Sequence, residues 1–144
     1  VFDDAIIDKL IKQRGSCLPL NSNWKEIWTK RMGSKKFKFD AEDVVTKGSK
    51  IVSIGNKITK KLPKLQFMGI AKFSKSDYFK LFKFYKKISN KKIDFTSFLN
   101  LSIKNKIIKL NFFQTQKRWL EIDNTKDYIL AKKIIKNDLF KNHK

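Results

Sequence analysis

Cysteine, proline, glycine, histidine and arginine are all scarce in this chain. Its 144 residues include one cysteine, Cys17, which excludes an internal disulfide and leads us to expect a reducing, cytoplasmic setting. Cys17 lies in an apolar run and reads as an inert core thiol. The single histidine, His143, is in the C-terminal tail, so a Ser-His or Cys-His nucleophile would have no base. No zinc-ligand spacing occurs. The five glycines are scattered, and none sits in a strand–glycine-loop–helix setting that would cradle phosphates. With two prolines, no Gly/Ser linker and no internal repeat, residues 1–144 read as one domain or part of one. No run approaches the ~18 apolar residues of a membrane span, and no leader pattern is present, so no membrane partner is expected.

What is abundant is lysine. Lys and Arg total 34 against 13 Asp and Glu, giving a formal charge of +21. Only Arg14, Arg31 and Arg118 are arginine, so 34 − 3 = 31 are lysine. Base-reading and phosphate-clamping proteins favour the planar arginine fork, so specific nucleic-acid binding is not expected. Compositional drift with solvated lysine faces, or an electrostatic role, would account for the excess, and such a charge adheres to polyanions in a salt-sensitive way. At 41% hydrophobic and 13% aromatic, the chain can bury a core.

The patterning alternates between helix and strand. Ala5, Ile6, Ile7, Leu10 and Ile11 form a helical stripe over 3–14, capped by Asp3 or Asp4 and stopped at Gly15. Residues 16–20 read as a buried strand. Residues 21–31 read as a helix with Trp24 and Trp28 on one face. A loop over 32–39 follows, then a hairpin with strands near 42–47 and 50–54. Residues 66–74 read as a strand containing Gly69, where backbone or ligand can approach closely. A capped helix over 74–89 carries a broad apolar face, and another spans 94–105. Strands are expected at 106–113 and 117–123, then a helix over 124–140 capped by Asn124 or Thr125. The sum is an α/β fold with a mixed sheet.

One stretch bears on chemistry. In a strand over 117–123, Trp119, Glu121 and Asp123 would share a face, the two carboxylates ~7 Å apart at Cα. That spacing suits one hard cation such as Mg²⁺. It equally suits an Asp at a helix N-terminus beside a Glu paired with a lysine.

Several segments, taken in order, resemble the C-terminal part of the sugar-phosphate nucleotidyltransferase family. They are "VFDDAIIDKLIKQRGSCLPLNSNWKEIWTKR", "AEDVVTKGSKIVSIGNKI", "QFMGIAKFS", "DFTSFLN" and "RWLEIDNTKDYILAKK". The nearest members are cytidylyltransferases acting on phosphocholine or 2-aminoethylphosphonate, some attached to phosphoenolpyruvate mutase. The resemblance implies a Rossmann-like domain that joins a nucleoside triphosphate, CTP, to such a compound and releases pyrophosphate with Mg²⁺. It implies Asp123 and then Glu121 as metal ligands, and an acceptor pocket drawn from Trp24, Trp28, Gly69, Asp94, Phe95 and Trp119, although Trp24 and Trp28 at i, i+4 and Phe95 also read as core packing and Asp94 as a helix N-cap.

The chain also departs from the family. The family's N-terminal glycine-rich loop, with its catalytic Arg and Lys, has no counterpart here. The chain opens at the family's "VF", just past another metal aspartate, and so is expected to be an acceptor-binding half with no catalytic residue of its own assigned. The family's "D-S-D-W" stands here as Asn21-Ser22-Asn23-Trp24. Sugar phosphates remain candidate acceptors, and homo-oligomerisation stays open. The competing reading is a non-catalytic basic module that binds nucleic acid or other polyanions.

Overall fold

The computed structural model describes residues 1–33, 37, 41–58 and 61–141. Most of the loop expected over 32–39 lies outside the described residues. Ten elements follow in order: α1 (Asp4–Lys12), β1 (Cys17–Asn21), α2 (Trp24–Met32), β2 (Glu42–Lys47), β3 (Lys50–Lys57), β4 (Gln66–Phe67), α3 (Lys75–Lys87), α4 (Phe95–Lys104), β5 (Asn111–Thr115) and α5 (Thr125–Lys141). The five strands form a mixed sheet in the order β2-β3-β5-β1-β4. β1 runs parallel to β5 and antiparallel to β4, so the expected mixed α/β architecture is observed.

β1 is buried along its whole length, because the sheet is covered on both faces. On one face, Cys17 and Phe113 pack with Ile6 and Leu10 of α1 and Trp24 and Trp28 of α2. On the other, Leu18 and Leu20 pack with Ile54, Leu81 of α3 and Leu99 of α4. The odd and even residues of one strand thus feed two cores. Among the described residues no helix is long and apolar enough to cross a membrane.

Several expected strands are shorter than their sequences suggest. The run 66–74 pairs only at Gln66–Phe67, then rejoins β1 through a bridge from Lys72 to Cys17. Proline explains the interruption. The Cys17 N–H and carbonyl both bond Lys72, so by alternation residue 19 faces the same edge. Pro19 has no N–H to offer there, and the segment that includes Gly69 leaves the ladder. Residues 106–110 are not strand, with Lys106 at a φ of 56°. Residues 117–123 are irregular apart from a bridge between Trp119 and Phe2. Ile122, which in a strand would face away from Glu121 and Asp123, is exposed. The expected apolar face of α3 is also mostly outside the core: of the helix's six apolar residues only Leu81 is buried.

β3 pairs with β2 across two register shifts. Ile54 faces Val44 and Asn56 faces Asp43, which leaves Gly55 as the extra residue of a bulge. Its φ is +79°, and a Cβ there would sit 2.9 Å from the Thr96 Cβ. Gly55 therefore lets β3 pass against the first turn of α4. We expect Gly55→Ala to cost about 2 kcal/mol, from a strained φ and this clash. The melting temperature should fall on the order of 5 °C, measured by thermal circular dichroism. An unchanged melting temperature would show that Thr96 gives way.

Candidate functional site

Arg31 lies in the last turn of α2, and three carboxylates converge on it from the far end of the chain. Arg31 Nη1 donates to Glu121 at 3.0 Å. Its Nη2 donates to Asp123 at 2.7 Å and to Asp127 at 2.8 Å. Glu121 and Asp123 precede α5, and Asp127 lies in its first turn. Asn124 Oδ1 accepts from the Asp127 N–H, which caps the helix and turns that carboxylate inward. Asp127 Oδ2 also accepts from the Asp123 N–H and the Asn124 amide. The guanidinium and Asp127 are both buried, whereas Asp123 is 69% exposed.

This settles what Glu121 and Asp123 hold in the chain itself. They hold a cation, and that cation is Arg31. Burial works against the charge of Arg31, but the hydrogen bonds it donates to Asp127 and Asp123 outweigh it and raise its pKa further. The bond from Arg31 is the main reason the Asp127 carboxyl lies below the ordinary value of 3.8, with burial opposing it.

Beside this cluster lies a pocket of about 550 Å³. Its walls include Trp28, Gly69, Asp94, Phe95, Glu121 and Asp123, which come from four separate regions of the chain. Six of the eight residues expected from sequence to bind metal or substrate thus face one space. Trp24 and Trp119 do not line it. They are buried in the core around Trp28, with ring centroids 5.6 Å and 6.2 Å from that residue.

Asp94 serves in two ways. It is the N-cap of α4, accepting from the Ser97 N–H and the Thr96 hydroxyl, each at 2.9 Å. The Ser97 bonds keep its carboxyl below the ordinary range. It also faces the pocket as an anion. Phe95 follows it, half exposed, with ring contacts to Phe67 and Phe73 that hold it in place.

The sequence reading missed Glu42, Gln66 and Thr96 in this wall, and Arg31 behind it. Thr96 donates to Glu42 at 3.0 Å, tying β2 to α4. Gln66 is buried and its Oε1 has no hydrogen-bond partner. Scarcity of arginine was the one available signal for Arg31. The pocket therefore combines aromatic faces with carboxylates, an arrangement suited to an organic cation.

No family model matches the sequence, and no curated protein matches it. Among solved structures, the fold is similar to a protein from Bacillus anthracis assigned as a glucose-1-phosphate thymidylyltransferase and solved in complex with a sucrose. The TM-score is 0.63 at 16% identity, covering 93% of this chain and 50% of the other. The chain thus has a mixed-sheet α/β fold, consistent with a Rossmann-like one and similar to part of that structure, and it spans half the length of that protein.

Removing Arg31 would leave Asp127 buried without its counter-charge. Arg31→Ala should cost about 3–5 kcal/mol by chemical denaturation. The sign with pH follows from the depressed Asp127 pKa. The stabilisation is present above the unfolded value and is lost as pH falls through the lower folded value. The gap between wild type and Arg31→Ala should therefore shrink when the pH is taken below 3.8. A gap that persists in acid would locate the cost elsewhere.

Proposed function

We propose that this chain is the acceptor-binding part of a nucleotidyltransferase. It would join a nucleoside triphosphate, CTP on the sequence resemblance, to a small phospho- or phosphono-compound and release pyrophosphate. The acceptors that fit best are 2-aminoethylphosphonate and phosphocholine, because both carry a cationic head. One observation carries this reading: a single pocket gathers Trp28, Phe95, Asp94, Glu121 and Asp123. A cation is attracted to ring faces and to carboxylates alike. The similarity in fold to an assigned thymidylyltransferase supports the same class of chemistry.

In this reading Phe95 and Trp28 contact the head, while Asp94 supplies charge and is held ionised by its cap bonds. Gly69, with its φ of +73° and no side chain, lets the acceptor approach the backbone. Arg31 positions Glu121 and Asp123 and touches neither substrate.

The residues present also suit Mg²⁺. Asp123 gives one oxygen to Arg31, and its exposed side chain can offer the other to a ligand. Among the described residues no three His, Cys, Asp or Glu are grouped to hold a metal ion. Mg²⁺ commonly takes one or two carboxylates, with phosphate oxygens and waters completing the shell. Asp123 would be its ligand and Glu121 would act directly or through water. The ion would neutralise charge between nucleotide and acceptor phosphates.

Calorimetry on this chain tests acceptor binding without requiring turnover. We expect 2-aminoethylphosphonate or phosphocholine to bind more tightly than glucose 1-phosphate. Phe95→Ala should weaken that binding roughly tenfold with little effect on stability. Asp123→Ala should abolish any dependence on Mg²⁺. Equal or absent binding of all three compounds would overturn the assignment of the pocket.

A further inference from the structure

Leu81, Phe84 and Tyr85 of α3 pack inward, but three further rings of its apolar face make ring contacts only with one another among the described residues. Tyr78, Phe79 and Phe82 are 55%, 49% and 46% exposed and lie side by side on the outward surface. Tyr78 contacts Phe79 with centroids 5.8 Å apart and stacks on Phe82 at 6.5 Å. Such a cluster on one helix is more than scattered surface apolarity.

Its surroundings are basic. α3 carries five lysines and one aspartate. Asp77 is engaged, accepting from Ser16 at 2.7 Å and Lys80 at 3.1 Å. By the helical period Lys75 and Lys86 lie on the same side of α3 as the aromatic strip, and the Lys86 Nζ is 4.5 Å from the Phe82 ring centroid. A polyanionic surface with an apolar layer beneath matches both features. We propose that α3 docks this protein onto an anionic lipid bilayer, with the helix lying in the interface plane. Phe79 and Phe82 would enter the acyl boundary, Tyr78 would sit at headgroup level, and the lysines would meet lipid phosphates. The expectation of no membrane partner rested on the absence of a spanning run, and a helix that lies on the surface needs none.

Single-stranded nucleic acid is the competing polyanion, and the rings argue against it. Base stacking requires free ring faces. Phe82 is already stacked with Tyr78, and the Lys86 Nζ lies 4.5 Å from its centroid. Burial of these rings in lipid requires no free face.

The test is co-sedimentation of the full chain with vesicles. One set is phosphatidylcholine alone, the other phosphatidylcholine mixed with phosphatidylglycerol. The charge of +21 attracts the whole molecule to any anionic surface, so the aromatic variant decides. Binding is expected only to the mixed vesicles. Phe79→Ser with Phe82→Ser should reduce it about tenfold, with unchanged circular dichroism. Lys75→Glu with Lys86→Glu should reduce it further than the same charge reversal at Lys12 and Lys133, which keeps the test decisive if the serine variant fails to fold. Binding that is indifferent to the aromatic pair, or equal losses from the two lysine pairs, would overturn the proposal. So would an oligothymidylate complex that depends on Phe79 and Phe82 at least as strongly. A concentration-dependent dimer abolished by the serine variant would assign the face to a second copy instead.

Discussion

The fork of Arg31 is the contact on which the rest of the site depends. It closes the chain on itself across 90 residues or more, joining the end of α2 to the segment before α5 and to the first turn of α5. Lysine is ten times as common here, yet it could not do this. A point charge on a flexible stem does not hold several carboxylates in fixed directions, whereas the two terminal nitrogens of one planar group serve three of them. The arrangement has a cost, because the Arg31 Nε is buried without a partner. It persists because Asp127 is itself buried and a lone carboxylate there would cost more.

How the sheet ends matters as much as how it is built. β1 is a buried strand whose odd residues face β4 and whose even residues face β5 along the hydrogen-bonding direction. Pro19 removes one donor from the β4 edge, and Gly69 makes the detour that follows sterically cheap. Gly55 does the equivalent work for β3, whose bulge admits the first turn of α4. Two local breaks in regular pairing thus set Gly69 on one wall of the pocket, and Asp94 and Phe95 on another. The scarcity of proline and glycine gives each a discernible purpose.

This also explains what could be read from sequence. The helices were legible because their caps and stripes are local: Asp3, Ser74, Asp94 and Asn124 each accept a backbone N–H as their positions suggest. The hairpin at Lys47-Gly48 was legible for the same reason. The strand at 117–123 was not, because an apolar/polar alternation records the wish to bury Trp119 and Leu120 and says nothing about a neighbour to pair with. Bridging to Phe2 buries those two residues without a ladder. Six of the pocket residues were legible through resemblance. Trp24 and Trp119 share their residue type with the pocket lining but not its position, and Arg31 shares neither motif nor period with its partners. Side chains that meet across 90 residues leave no periodic trace.

The charge distribution carries one more consequence. In a chain with 31 lysines, an acidic pocket is costly to keep acidic, since any long lysine nearby could swing in and neutralise it. The structure limits this by committing the carboxylates in advance. Asp94 is fixed by the start of α4, and Glu121 and Asp123 by a guanidinium behind the wall. A pre-committed carboxylate loses some affinity for a passing lysine, yet it keeps its charge and a defined direction. Four carboxylates, of Glu42, Asp94, Glu121 and Asp123, thus stand in the pocket wall with no lysine or arginine among its described lining, which makes the lining acidic. A ligand with a cationic head is the simplest solute that would benefit from it.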